Sequence, residues 1–117
     1  MTATLLLCTC PDLASARTLA RSLVESRLAA CVSLIPGVES IYRWQGEIEC
    51  SDEVQLLIKT QAARLDEVER HILARHPYEL PEILAVQAGS GLDRYLAWID
   101  EEASPPAAGA AADDDFP

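Results

Sequence analysis

Residues 29–59 read AACVSLIPGVESIYRWQGEIECSDEVQLLIK, the longest stretch of the chain with a strand-forming pattern. Two apolar runs rich in β-branched residues, 30–44 and 47–59, flank a single turn candidate at Gln45-Gly46. Glycine supplies the positive φ that a tight hairpin turn needs, and Val, Ile and Tyr suit a pleated, half-buried surface. The stretch therefore predicts a β-hairpin whose arms are much longer than the usual strand of about 5–6 residues.

The two faces of this hairpin are both apolar in its near half. By the two-residue period of a strand, Cys31 and Ile35 point to one face and Val32 and Leu34 to the other. A sheet covered by helices on one face only would show polar alternation on the other. We therefore expect an oligomer in which the hairpin reaches across a neighbouring subunit. The alternative is a sheet sandwiched between helices of its own chain, for which the chain is short.

The hairpin has two predicted irregularities. Pro36-Gly37 interrupts the first arm, and a proline inside a strand removes a ladder donor, so we expect a bulge, a bend or an edge there. Residues 50–52 are expected to be a similar weak point in the second arm.

Composition excludes several classes of protein. The chain has 117 residues, which fits one domain, and nine Lys and Arg against nineteen Asp and Glu give a net charge of −10. A protein that binds the phosphate backbone would carry a basic face, so nucleic acid is not an expected partner. The first ten residues lack a basic segment and no run approaches membrane-spanning length, so we expect neither a signal peptide nor a membrane anchor.

The cysteines indicate a reducing compartment. The four of them form no CxxC pair, and without an export signal they are expected to be free thiols in the cytoplasm. Cys10, Cys31 and Cys50 are interpreted as small buried hydrophobes.

The remaining chain supplies two further strands and three helices. Asp12 is the expected N-cap of the first helix, and His76-Pro77 ends the second. The predicted order is a strand at 4–10, a helix to about 27, the hairpin, a helix at 64–75, a strand at 83–87 and a helix at 92–101. This is an α+β, ferredoxin-like βαββαβ arrangement with a long second-to-third-strand hairpin and an extra C-terminal helix. We expect a domain over residues 1–102 and a disordered acidic, Ala/Pro-rich tail over 103–117.

Several motifs in this order resemble the CutA divalent-cation tolerance family. The most specific are Tyr-Arg-Trp-Gln-Gly at 42–46 and His-Pro-Tyr-Glu-Leu-Pro-Glu at 76–82. The other matching segments are 8–12, 28–32, 35–38, 53–60 and 95–99. The resemblance implies a homotrimer of ferredoxin-like subunits whose sheets face the trimer interior. It also places the fold close to the PII signalling trimers, whose clefts between subunits bind small ligands.

The family resemblance also implies a metal site. Copper binding in the family is attributed to a thiol at the end of the first strand, here Cys8, and to histidines at the end of the second helix, here His76. The residue before His76 is Arg75 rather than a second histidine, and one Cys with one His is a poor set for Cu(II), which prefers three or four N/O ligands. The alternatives are a core thiol for Cys8 and a helix-terminal imidazole for His76. His71 is expected to be solvated.

A second candidate site is the loop around Tyr78, Glu79 and Glu82, with Trp44 and Lys59 as further cleft residues. The carboxylates are candidates for holding a hard cation or for pairing with Arg43 or Lys59. The alternatives are a salt bridge across a subunit interface and a cleft for a small ligand.

No catalytic constellation is recognisable, so we do not expect an enzyme. The sequence predicts a non-enzymatic cytoplasmic homotrimer that binds or responds to divalent metal ions such as copper. It needs no cofactor for folding, and Cu(II) or another divalent cation is the candidate ligand. The alternatives are a PII-like signalling or interaction trimer that takes a small ligand or protein partner in the inter-subunit cleft, and a purely structural scaffold.

Overall fold

The structure, a computed structural model, describes residues 3–105. Its elements follow the predicted βαββαβ order with one helix added at the end. They are β1 (Ala3–Cys10), α1 (Leu13–Glu25), β2 (Cys31–Trp44), β3 (Glu47–Gln61), a short 3₁₀ helix (Ala62–Arg64), α2 (Leu65–Arg75), β4 (Leu84–Gln87) and α3 (Asp93–Glu102). The four strands form one antiparallel sheet in the order β2-β3-β1-β4. The predicted ferredoxin-like α+β class is confirmed.

The start of α1 follows from its local sequence. Asp12 is the N-cap, and its carboxylate accepts the Ser15 backbone N–H at 2.8 Å. This hydrogen bond satisfies one of the free donors of the first turn. Leu19, Ala20 and Leu23 then recur on one side of the helix and are buried.

The hairpin of β2 and β3 closes through a two-residue turn. Gln45 (φ 51°) and Gly46 (φ 84°) are both in the left-handed region, as a type I′ turn requires. The predicted bulge is confirmed as a register shift between Ile35 and Val38. The predicted break at residues 50–52 is wrong, because pairing continues there and the Tyr42 hydroxyl hydrogen-bonds the Ser51 hydroxyl across the ladder at 2.8 Å.

The far half of the hairpin projects from the rest of the chain. Residues 41–50 are all exposed, with Ile41 at 70% and Ile48 at 63%. The projection contributes to dimensions of 51 × 28 × 23 Å. Within residues 3–105 Ile41 and Ile48 are left largely uncovered, as the length of the arms predicted.

The helix-covered face of the sheet carries the main core. Its side chains pack against α1 and α2, and they are Leu6, Cys8, Cys10, Val32, Leu34, Val54, Leu56 and Ile58. The strand pairing places alternate residues on the open face, which are Leu5, Leu7, Cys31, Ser33, Ile35, Leu57, Lys59, Leu84 and Val86. On this face Leu84 is 58% exposed and Val86 47%.

The third helix lies at one end of the sheet and not over a face. Ile99 is its one buried residue and packs with Ala30 and Ala103. Leu92 and Tyr95, two turns and one turn earlier at helical spacing, are 73% and 41% exposed. The apolar side of α3 is therefore only partly buried within residues 3–105.

The predicted domain boundary at residue 102 lies just before the last packed residues. Ala103 is fully buried, and Ser104 accepts a hydrogen bond from the Gln61 amide at 2.8 Å. The rest of the predicted tail, from residue 106 on, lies outside the described residues. Across residues 3–105 the helices are too short or too polar to cross a membrane.

Candidate functional site

Two thiols meet at the end of β1. Cys8 and Cys10 are two residues apart on one strand, so they share the helix-covered face, and both are fully buried. Their thiols hydrogen-bond to each other, which raises the pKa of Cys8, with burial adding to the rise. The same hydrogen bond lowers the pKa of Cys10 against the opposing effect of burial. Within the pair, one sulfur therefore donates the hydrogen bond and the other accepts it.

The imidazole of His76 is held against this end of β1. His76 is the C-cap of α2 and precedes Pro77, and its Nε2 lies 2.6 Å from the Thr9 carbonyl oxygen. The backbone N–H of Tyr78 donates to Nδ1 at 3.0 Å. Because a backbone N–H can only donate, Nδ1 carries the lone pair, and Nε2 carries the proton that it donates to Thr9. Both ring nitrogens are thus used by backbone groups.

The sulfur in contact with His76 is that of Cys10. Nε2 of His76 lies 3.7 Å from Sγ of Cys10. The sequence predicted Cys8 and His76 as a pair and treated Cys10 as a plain core residue. The available signal was the spacing, since residues i and i+2 of a strand lie side by side on one face.

A cavity of about 600 Å³ opens beside these residues. Its walls come from the end of β1, the first turns of α1 and the end of α2, and include Cys10, Asp12, Ser15, Ser22, Arg75 and His76. The guanidinium of Arg75 donates to the His71 carbonyl oxygen at 3.2 Å and is exposed.

His71 is not the solvated side chain that the sequence suggested. Its Nε2 lies 2.8 Å from the Ser22 hydroxyl of α1. Burial, with a smaller effect from Arg75, lowers its pKa. The packing of α1 on α2 creates this environment, and the sequence around residue 71 carries no sign of it.

Cys8 and His76 do not fit a four-coordinate divalent ion as they stand. Residues 3–105 contain no group of three or more His, Cys, Asp or Glu side chains arranged to hold a metal. His76 can offer a lone pair only after it releases the Thr9 carbonyl or the Tyr78 amide.

The predicted cleft residues largely come together in a second cavity, of about 540 Å³. It lies between the hairpin and the loop after α2, and its lining includes Trp44, Tyr78, Glu79 and Glu82, together with Tyr42, Arg43 and Glu53. Lys59 is elsewhere, on the open face, where its Nζ donates to the Ser33 hydroxyl at 3.0 Å. It lies too far along the strand, because six residues of β3 separate it from Glu53 and each adds about 3.4 Å.

Hydrogen bonds tie the walls of this second cavity together. The Tyr78 hydroxyl donates to Glu53 at 2.8 Å, and burial followed by this bond raises the pKa of Tyr78. The Gln55 amide donates to Glu82 at 3.3 Å. The salt bridges recorded over residues 3–105 join Arg27 to Glu102 and Arg64 to Glu67. The predicted pairing of Glu79 or Glu82 with Arg43 or Lys59 is therefore not formed within the chain. Glu53, which sequence reasoning did not single out, holds Tyr78 instead.

The fold and these residues define a small ferredoxin-like α+β protein with a thiol–imidazole contact at one strand end and an uncovered sheet face. Residues 4–102 match the family model described as CutA1 divalent ion tolerance protein. The chain belongs to this family, which is named for tolerance of divalent ions and not for a reaction.

Relatives and solved structures agree with this membership. The divalent-cation tolerance protein CutA of Pectobacterium atrosepticum is 45% identical over 98 residues, which are 84% of this chain and 89% of that protein. The protein of the same description from Thermus thermophilus is 46% identical over 95 residues, covering 81% of this chain and 92% of that one. The crystal structure of CutA from Xylella fastidiosa is similar with a TM-score of 0.86 and 50% identity, covering 89% of this chain and all of that one.

Proposed function

We propose that this protein is a non-enzymatic homotrimer that works in the cytoplasm and binds or responds to divalent metal ions, copper among them. Membership of the divalent ion tolerance family supports the metal part. The four cysteines are free thiols, which suits a reducing compartment.

The observation that best supports the proposed trimer is the open face of the sheet. Leu57 lies at its centre between Leu7 and Ser33, and the exposed Leu84 and Val86 extend it toward β4. A contiguous apolar face of this kind marks an interaction site on a protein. Lys59 is tethered to Ser33 on the same face, which leaves the surrounding aliphatic surface free for contact. The exposed hairpin end gives a second surface that a neighbouring copy would cover.

For the metal site we propose Cys8 and His76 as the contacts, with one condition set by the geometry. Before Nε2 can bind an ion, its proton must move to Nδ1, which ends the hydrogen bonds to both the Thr9 carbonyl and the Tyr78 amide. The metal is not needed for folding, because the core around Cys8 is closed by apolar residues such as Leu56 and Ile72.

An anaerobic titration tests the metal part. The full chain would be titrated with Cu(II) and Zn(II) alongside the variants Cys8→Ala and His76→Ala, with His71→Ala as a matched histidine control. Asp113–Asp115 would be changed to asparagine in all samples, because their carboxylates bind cations weakly. Saturable binding that is lost in the first two variants and kept in the control supports the site. Equal binding by all four proteins contradicts it.

The solution mass tests the assembly independently. One chain has a mass of 12.7 kDa. A trimer gives three times that value in sedimentation equilibrium, and a mass of one chain over the micromolar range refutes the proposal for the open face.

A second candidate function rests on the cavity of about 540 Å³ beside the hairpin. The predicted residues Trp44, Tyr78, Glu79 and Glu82 all line it, which favours a PII-like signalling or interaction role with a small ligand or a partner. A thermal-shift screen of metabolites, with Trp44→Ala as the cavity variant and Trp98→Ala as the control, tests it. A screen without a hit that depends on Trp44 rules against this role.

A further inference from the structure

The geometry points to a second way of holding metal at the end of β1: Cys8 and Cys10 form a dithiolate pair that binds one thiophilic monovalent cation, Cu(I). The inference rests on the proposed metal response and changes both its ligands and its ion. It assigns the second ligand position to Cys10 in place of the imidazole of His76.

The first argument is donor availability. Nδ1 of His76 accepts from the Tyr78 backbone, and Nε2 donates to the Thr9 carbonyl. The two neighbouring sulfurs hydrogen-bond mainly to each other, and the other contact of Cys8, to the Thr9 carbonyl, is long at 3.8 Å. Replacing the S–H···S bond with two S–metal bonds gives up the long contacts of Cys8 with Thr9 and of Cys10 with His76, and it leaves both ring hydrogen bonds of His76 in place.

The second argument is the spacing along the strand. Cα atoms of residues i and i+2 in a strand are about 6.6 Å apart, near the outer limit of about 6.8 Å for a disulfide. Their side chains nevertheless point the same way, so both sulfurs can reach one ion placed between them. The strand therefore disfavours oxidation to a Cys8–Cys10 disulfide and favours a shared ligand.

The third argument is the match between the site and the ion. Soft thiolates select Cu(I), whereas Cu(II) prefers N/O ligands in a tetragonal arrangement. Residues 3–105 contain no group of three donor side chains, which a divalent ion would need. Cu(I) can be bound by two ligands, so this finding does not count against it. Both cysteines are fully buried beside Val54 and Leu56, which suits an ion that needs only two ligands.

Charge and access agree with this assignment. Two thiolates and one Cu(I) leave one negative charge, and the adjoining cavity has a cation, Arg75, on its wall. The Ser15 side chain also hydrogen-bonds Cys10. The cavity opens on the side of α1 and α2, so it stays accessible when the open face is covered by other subunits.

Binding displaces both thiol protons, so two protons leave the protein for each Cu(I) that enters. The affinity should therefore rise by up to about a hundredfold per pH unit while both thiols are protonated. A site of one thiol and one imidazole releases fewer protons, which gives a readout separate from affinity.

The experiment is an anaerobic competition of the reduced full chain against bicinchoninate for Cu(I). The variants are Cys8→Ser and Cys10→Ser, with His76→Gln as a test of the imidazole and Cys31→Ser and Cys50→Ser as matched thiol controls. Changes outside the coordination shell cost about 10–100-fold in affinity, so loss of a ligand should cost at least about a hundredfold. We expect one Cu(I) per chain, that loss in the first two variants, a smaller loss in His76→Gln, whose ring contacts Cys10 without binding the ion, and changes within about threefold in the two thiol controls.

Each other outcome overturns the inference in a recognisable way. If Cys10→Ser binds like the wild type while Cys8→Ser and His76→Gln lose the ion, the site of the proposed function stands and the dithiol site fails. If all variants bind alike, both fail. X-ray absorption on the wild-type complex guards against variants that do not fold, because two Cu–S bonds without a Cu–N bond are required, and one Cu–N bond rejects the inference.

Discussion

The two faces of the sheet are built from similar residues and end in different environments. On the helix-covered face, Leu56 and Ile58 are fully buried under α1 and α2. On the open face, Leu84 and Val86 remain about half exposed although they are equally apolar. The difference arises because both helices that follow a strand return to the same side. A chain with this topology completes one core by itself, and its second apolar face needs another molecule.

Charging the open face is expected to have the largest effect. Leu7→Asp places a carboxylate at the centre of that face, opposite Leu57, and burying an unpaired charge in an interface costs several kcal/mol. Sedimentation should show the mass fall from three chains to one. Ala63→Asp adds the same charge at an exposed site of the 3₁₀ helix and should leave the assembly intact. An unchanged mass for Leu7→Asp would mean that the open face is not the interface.

Two neighbouring residues of α2 test how much the helix-covered core contributes to stability, with a smaller expected effect than the charge in the open face. Ile72 is fully buried in the core, whereas Leu73 is 53% exposed on the outer side. Ile72→Ala should lower the free energy of unfolding by about 2–5 kcal/mol, because it leaves a cavity, and Leu73→Ala by about 0.5 kcal/mol or less. Chemical denaturation of both variants gives the comparison. Equal losses would show that the outer side of α2 is also covered in the assembly.

The smallest expected effect is on the pH dependence of the free energy of unfolding, and it comes from His71, which lies between the two helices that cover the sheet. Burial lowers the pKa of His71 below its ordinary value of 6.5, so the neutral imidazole is favoured in the folded state. Its contribution to stability is present above about pH 6.5 and is lost as the pH falls toward the folded-state pKa. His71→Gln removes this proton uptake.

Urea unfolding at pH 7.5 and pH 5.5 measures the contribution of His71 to the pH dependence of stability. The wild type should lose more stability on acidification than His71→Gln does. The same loss in both would place His71 in water, as the sequence first suggested.

Features that depend on neighbouring residues were predicted from the sequence, and contacts between distant residues were not. The hairpin, its turn at Gln45-Gly46 and its bulge after Ile35 were all predicted, because strand propensity, positive φ and proline act locally. The burial of Cys10 was predicted as well, whereas the same prediction is wrong for Cys50, which is exposed on the far half of the hairpin. The contact of Cys10 with His76 was not predicted, because 66 residues separate the two side chains and only the packing of α2 on β1 joins them.

The second candidate site shows the same limit. Trp44 and Tyr78 were predicted to share a cleft at the loop after the second helix, and they do line one cavity. Lys59 was included with them and lies outside the cavity, because six residues of β3 separate it from the cavity residue Glu53. Glu53, two residues from Gln55 on the same strand, takes the role of holding Tyr78.

The sequence by itself determined the order of elements, the long hairpin and the presence of two apolar sheet faces, since each follows from residue periodicity and local turn chemistry. The tertiary structure decided which face the helices cover and which sulfur His76 meets. It also decided that both nitrogens of that imidazole are occupied by backbone groups. These features depend on how distant segments pack, because the separation of two residues along the chain does not determine their separation in space.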